Sequence, residues 1–229
     1  MATKHRRTSA PSTATPARKT ALELVRRSRE SRQFLSAFAP RVLESAQLEG
    51  ADKAFARLLA QGALSLQVTL DALINEVLRT PHDIQDDVRD ALRISAYEII
   101  YLHKEDHAAV DQGVELVRSF APRATGVANY VLHRIVEAKE RFPEGDPETS
   151  LEAAARFYGF PEWLATAIKK DIGTRNAIAL MSQRRSISPQ TNFPPRMTIS
   201  HACSKRAVSN SARIARLWRK RVEQILSSS

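Results

Sequence analysis

The amino-acid sequence predicts an all-α fold for this protein of 229 residues. It contains only 7 glycines, and 43% of its residues are hydrophobic against 26% charged, a composition that favours helices over strands. Apolar residues also recur at helical spacing through most of the chain after residue 20. The segment 88–102 has too few polar positions to leave one face in water, yet it is too short and interrupted to span a bilayer. We therefore expect a bundle of helices around a buried central helix.

The first two helices are predicted from short apolar patterns. The first begins near Thr20, with Leu22 and Val25 facing inward. The second covers residues 33–45 and is either continuous or broken at Pro40, because proline removes a backbone donor from a helix. Four apolar residues of this second helix are core candidates: Phe34, Phe38, Val42 and Leu43.

A sustained helical period over residues 51–78 precedes the central helix. It indicates either one long helix or two helices with a bend near Gly62. Pro81 ends this segment, because the residue before a proline is disfavoured in helical backbone. Asp83 or Asp86 then offers an N-cap for the central helix.

Two helices are predicted after the central one, at residues 108–120 and 126–142, and together they complete the bundle. The bundle should end at the proline- and glycine-containing segment 143–147. Shorter helices are predicted beyond it, at residues 150–158 and 161–172. The last of these has an apolar face formed by Trp163, Leu164 and Ile168.

The net charge of +10 is concentrated at the two ends of the chain. Residues 1–19 carry five basic and no acidic side chains, and residues 184–229 carry ten basic and one acidic, so the part between them is mildly acidic. Such ends either bind a polyanion or remain solvated tails. Residues 211–226 have the pattern of a basic amphipathic helix, which could lie on RNA, an acidic membrane or a partner protein, or fold back on the bundle.

Five segments of the chain form an ordered series that is typical of one protein family. They are Asp52–Leu59 followed by Gly62, Val88–Tyr97, His107–Asp111, Val114–Leu116 and Gly126–Arg134. The series resembles the NusB family of helical RNA-binding proteins, and especially the N-terminal domain of the RsmB/Sun-type 5-methylcytosine rRNA methyltransferases, over residues 17–183.

The resemblance implies a division of the chain into four parts. Residues 18–142 form a NusB-like helical domain, and residues 148–183 resemble the start of the linker that leads to the methyltransferase catalytic domain. Residues 1–17 are a flexible basic extension, and residues 184–229 are a basic tail in which the resemblance has ended. A shift of reading frame near Gln183 would explain both this end and the tail's composition.

The resemblance also implies a set of RNA contacts on the first helix. In NusB-like proteins the arginine-rich start of this helix contributes to the RNA-contacting surface. Here that position is held by four cationic residues, Arg18, Lys19, Arg26 and Arg27. Arginine suits phosphate binding because its planar guanidinium can pair with two oxygens at once. The alternative is a solvated polar helix face without a ligand.

The sequence lacks the residues that methyl transfer would need. An S-adenosylmethionine site requires a glycine-rich turn and a following acidic residue within a βαβ unit. The last glycine of this chain is Gly173, and Glu223 is the only acidic residue after Asp171. The family's chemistry uses two cysteines, whereas Cys203 is alone here. No histidine or cysteine cluster has metal-ligand spacing. We therefore expect no enzyme activity, no cofactor and no metal.

Three functions are consistent with these features. The first is a cytoplasmic RNA-binding module, in rRNA processing or transcription antitermination, that binds rRNA or a nascent transcript. The second is the recognition part of an rRNA cytosine methyltransferase whose catalytic half is absent or separate. The third is a scaffold for a ribosomal or transcription-elongation protein. The single cysteine and the lack of a hydrophobic leader favour the cytoplasm over secretion or a membrane.

Overall fold

Ten α-helices account for most of residues 13–183, the part of the chain that the computed structural model describes, and this part contains no strand. The predicted all-α class is confirmed. Predictions for residues 1–12 and 184–229, including the amphipathic segment and Cys203, lie outside the described residues. The helices are Pro16–Ser31 (α1), Leu35–Ser45 (α2), Gly50–Ser65 (α3), Gln67–Val77 (α4), Asp86–Tyr101 (α5), Asp106–Arg118 (α6), Thr125–Lys139 (α7), Leu151–Tyr158 (α8), Glu162–Ile172 (α9) and Thr174–Ser182 (α10).

Helix α5 is the centre of the main core, as the apolar segment predicts. It contacts α1, α3, α4, α6 and α7, and 13 of its 16 residues are buried. Leu92, Ile94, Ile99 and the ring of Tyr97 are completely or almost completely inaccessible. Burying such side chains contributes about 1.5–3 kcal/mol each relative to leaving them in water. The packing of these five helices on the apolar side chains of α5 therefore stabilises this part of the chain.

Helices α8, α9 and α10 enclose a second, smaller core that contacts the first. The Tyr101 hydroxyl at the end of α5 donates a hydrogen bond of 2.9 Å to the backbone carbonyl of Phe157 in α8. Burial raises the pKa of the Tyr101 phenol, so the group stays a neutral donor. Arg156 adds an ion pair of 2.7 Å to Glu76 in α4. These contacts join the second core to the bundle.

Several helix ends differ from their predicted positions. Helix α1 begins at Pro16, about one turn before Thr20, because proline is favoured in the first turn of a helix. The boundary between α3 and α4 lies at Leu66 and not at Gly62. Helix α5 is preceded by Gln85, so neither Asp83 nor Asp86 is its N-cap. Helix α2 continues through Pro40, where the side chain is exposed.

Two residues predicted to lie on apolar helix faces are exposed in the structure. Phe34 and Trp163 have relative exposures of 87% and 53%. The prediction failed for Phe34 because this residue precedes the first turn of α2 in extended backbone, off the buried stripe that starts at Phe38. Within the described residues no helix combines the length and hydropathy needed to cross a membrane.

A candidate nucleic-acid interface on the first helix

Helix α1 divides its four candidate RNA-binding residues between two environments. Its buried side includes Ala17, Ala21 and Leu24, which pack into the main core. Lys19 and Arg27 lie on the exposed side, while Arg18 and Arg26 are half-buried. The structure therefore does not gather the four cations into one solvent-facing patch.

Arg18 is held by a buried carboxylate. Its Nε donates to Glu98 Oε2 at 3.0 Å, and Nη2 donates to the other oxygen of the same carboxylate. Glu98 is 2% exposed in the last turn of α5. The guanidinium also lies 5.4 Å from the centroid of the Phe55 ring in α3. Arg18 thus neutralises a buried charge and joins α1 to two neighbouring helices.

Arg26 is engaged at the opposite end of α5. Its Nη2 lies 2.9 Å from Asp87 Oδ2, and the guanidinium carbon lies 4.5 Å from the centroid of the Phe120 ring. The Nε atom of Arg26 is buried without a hydrogen-bond partner. A half-buried cation with an ion pair and an aromatic contact fixes the position of α1 against α5.

A larger polar network, which the sequence did not predict, extends from Arg26 and Arg29 across α5. Arg29 Nε donates to Asp90 Oδ2 at 2.9 Å, and Arg93 Nη1 donates to Asp90 Oδ1 at 2.7 Å. Arg93 also binds both carboxylate oxygens of Asp71 in α4, each at 2.8 Å. Asp90 is completely inaccessible to solvent. Asp90 therefore links α5 to α1, and Arg93 links α5 to α4.

The charge of Arg29 is stabilised by this network. Burial disfavours its charged form, but the hydrogen bond to Asp90 and the charges of Asp90, Asp86 and Asp87 outweigh that effect and raise the pKa of Arg29. The sequence did contain a signal for the network. Asp90, Arg93 and Glu98 interrupt an otherwise apolar helix, and buried charges need partners.

Lys19 and Arg27 form no ion pair with any group among the described residues. Arg27 lies over the Phe38 ring at 5.6 Å, and its outer surface is exposed. Glu23 and Glu30 are exposed on the same side of α1, so this helix face alternates in sign. Of the four predicted residues, Lys19 and Arg27 are the two whose charge is not already neutralised by a carboxylate.

The described residues 13–183 contain no group of three or more His, Cys, Asp or Glu side chains arranged to hold a metal ion. The candidate site consists of cationic side chains on a helix whose position is fixed by buried ion pairs. Such an arrangement can contact a polyanion such as the backbone of a nucleic acid.

Comparisons with known proteins identify the bundle. Residues 15–137 match the NusB family. A protein of Mycobacterium tuberculosis whose name assigns it to the methyltransferases is 30% identical over 165 residues, which cover 69% of this chain and 36% of that protein. Ribosomal RNA small subunit methyltransferase B of Thermus thermophilus is 36% identical over 110 residues, or 47% of this chain and 27% of the relative.

This chain thus spans about a third of the length of the relatives that it matches. The family match runs from the residue before α1 to near the end of α7, and so coincides with the helices that surround α5. It covers more than half of the sequence, and the chain belongs to the NusB family.

Proposed function

We propose that this chain is an RNA-binding module of the NusB type, acting in the cytoplasm on ribosomal RNA or a nascent transcript without a catalytic site of its own. The observation that carries the proposal is the match between its bundle and part of a relative named for ribosomal RNA. The Rossmann-like S-adenosylmethionine site of the methyltransferases that the chain resembles is built on a βαβ framework, whereas residues 13–183 are helical without a strand. The bundle would therefore contribute recognition, and not chemistry.

In this proposal the four cations of α1 have two different roles. Lys19 and Arg27 contact phosphate groups, since each is exposed and has no carboxylate partner within residues 13–183. Arg18 and Arg26 position the helix, since their guanidinium groups are paired with Glu98 and Asp87. The sequence-based assignment of all four as direct contacts is thus refined to two contacts and two positioning residues.

The salt dependence of RNA binding should show how many phosphate contacts the chain makes. We expect the double change Lys19→Ala and Arg27→Ala to weaken binding of the full chain to single-stranded segments of small-subunit rRNA. The negative slope of log K against log salt should become shallower by about 1.4, because each lost contact to single-stranded RNA removes about 0.7 from its magnitude. A salt titration followed by fluorescence anisotropy measures both quantities.

A matched control is the double change Lys170→Ala and Arg175→Ala, which removes the same charge from exposed positions in α9 and α10. It should leave the slope unchanged. Equal effects of the two double variants would mean that Lys19 and Arg27 act only through net charge, and the assigned contacts would be wrong. Absence of RNA binding at moderate salt, with capture of a ribosomal or transcription-elongation protein, would favour a protein scaffold instead.

The methyltransferase relatives favour a second candidate, the recognition part of an enzyme that modifies small-subunit rRNA. Addition of the full chain to the separate catalytic domain of the Thermus thermophilus relative, followed by transfer of a labelled methyl group from S-adenosylmethionine to rRNA, distinguishes the two candidates. The recognition part of an enzyme should raise the transfer by that domain, whereas an independent RNA-binding module should leave it unchanged.

A further inference from the structure

Phe34 is the most exposed of the large hydrophobic side chains in the described part of the chain. It lies between α1 and α2, where its backbone is extended and its side chain is 87% exposed. A single exposed apolar side chain is common on protein surfaces and by itself indicates nothing. The surroundings of Phe34 are what distinguish it.

The Phe34 ring borders a groove between the end of α1, the start of α2 and the end of α3. The groove is open to solvent and has a volume of about 450 Å³, within the range of small-molecule sites. Leu35 and Leu64 are its apolar lining residues, and Gln33 and Gln61, whose side chains carry amide donors and acceptors, line it as well. A planar, partly polar ligand can therefore stack on an aromatic ring and form hydrogen bonds in the same groove.

One arginine lines this groove, and two more lie close to its lining residues along α1 and α3. Arg32 lines the groove and is exposed. Arg57 lies one helical turn before Gln61 on the same side of α3, and Arg27 lies against Phe38, one turn along α2 from Phe34. No carboxylate in the described residues forms an ion pair with any of these three arginines. The charge around the groove therefore suits an anionic backbone on either side of an inserted group.

We propose that this groove, the Phe34 groove, binds one unpaired nucleobase of single-stranded RNA, with the base stacked on Phe34. The inference rests on the proposed RNA-binding function and names its site of base recognition. Aromatic rings bind bases of unpaired RNA by stacking, whereas the bases of an RNA duplex are stacked on each other and cannot offer a face. Gln33 and Gln61 contact the edge of the base, and Arg32 and Arg57 contact the flanking phosphates.

Replacing the ring tests the stacking directly. We expect Phe34→Ala to weaken binding of the full chain to a single-stranded rRNA oligonucleotide by about 5- to 100-fold. The salt slope should stay unchanged, because the lost contact is not ionic. Phe34→Tyr, which keeps an aromatic ring, should bind within about threefold of the original chain. The control Tyr130→Ala removes another exposed aromatic residue, in α7, and should have no effect.

The probes are that oligonucleotide and a duplex of the same sequence, compared by fluorescence anisotropy. The expected loss is confined to the single strand. If Phe34→Ala leaves both affinities unchanged, or lowers both equally, the base site is wrong while the proposed RNA-binding function stands. If the original chain binds neither probe at moderate salt, both the base site and the RNA-binding function are wrong.

Discussion

Replacing Asp90 with asparagine should lower the free energy of unfolding by about 3–5 kcal/mol, the range observed when one member of a buried ion pair is removed. Asp90 is inaccessible to solvent and accepts hydrogen bonds from Arg29 at 2.9 Å and from Arg93 at 2.7 Å. Asparagine has the same shape but no charge, and its amide group would place a donor opposite a guanidinium. The two arginines would keep their other carboxylate partners but lose the one between them.

Urea denaturation followed by circular dichroism measures this change. The matched control is Glu137→Gln, which neutralises an exposed carboxylate paired with Arg134 one helical turn away. Exposed pairs of this kind contribute about 0.3–0.5 kcal/mol, so the control should unfold at nearly the original urea concentration. A loss below about 1 kcal/mol for Asp90→Asn would show that solvent or the remaining pairs compensate, and that Asp90 is not needed to hold α1 against α5.

This network also marks the limit of what the sequence could predict. Helical spacing located every helix of the bundle, because the buried stripe of a helix is a local property of the sequence. The partners of Arg18 and Arg29 are 80 and 61 residues away, so the pairs exist only once α1 packs against α5. The sequence therefore predicts that an arginine on a half-polar helix face can bind RNA, whereas in the fold this arginine is already paired with a carboxylate.

Phe34 shows the opposite error. Its spacing of four residues from Phe38 matched a helical core stripe, but α2 starts only at Leu35. A difference of one or two residues at a helix end decided whether this ring was buried or exposed, and helix ends are the least certain feature of a pattern. For that reason the sequence does not predict the candidate base site.

The sequence allows either a continuous helix or a bend near Gly62, and the structure gives this glycine a different role. The boundary between α3 and α4 lies four residues later, at Leu66, whose backbone N–H still donates to the Gly62 carbonyl at 3.0 Å. A Cβ atom at Gly62 would lie only 2.2–2.5 Å from three atoms of the Tyr97 ring. The glycine is therefore needed for the close approach of α3 to α5, and not for backbone flexibility.

Gly62→Ala should consequently destabilise the fold by about 3 kcal/mol, at the upper end of the usual cost of overpacking a core. Tyr97 is 1% exposed and stacks on Tyr101 with 5.6 Å between ring centroids, so the ring has little room to move. Gly126 is a helical position in α7 where an added Cβ atom would meet no neighbouring side chain or helix within 4 Å. The same change there should leave stability unchanged or raise it by up to about 1 kcal/mol.

A double-mutant cycle identifies the cause of the Gly62→Ala effect. Tyr97→Leu alone leaves part of the ring's volume empty and should also be destabilising. The double variant should lose less stability than the sum of the two single changes, since the shorter side chain makes room for the new methyl group. Additive losses would instead mean that the methyl group is accommodated elsewhere and that the contact between Gly62 and Tyr97 does not set the spacing of α3 and α5.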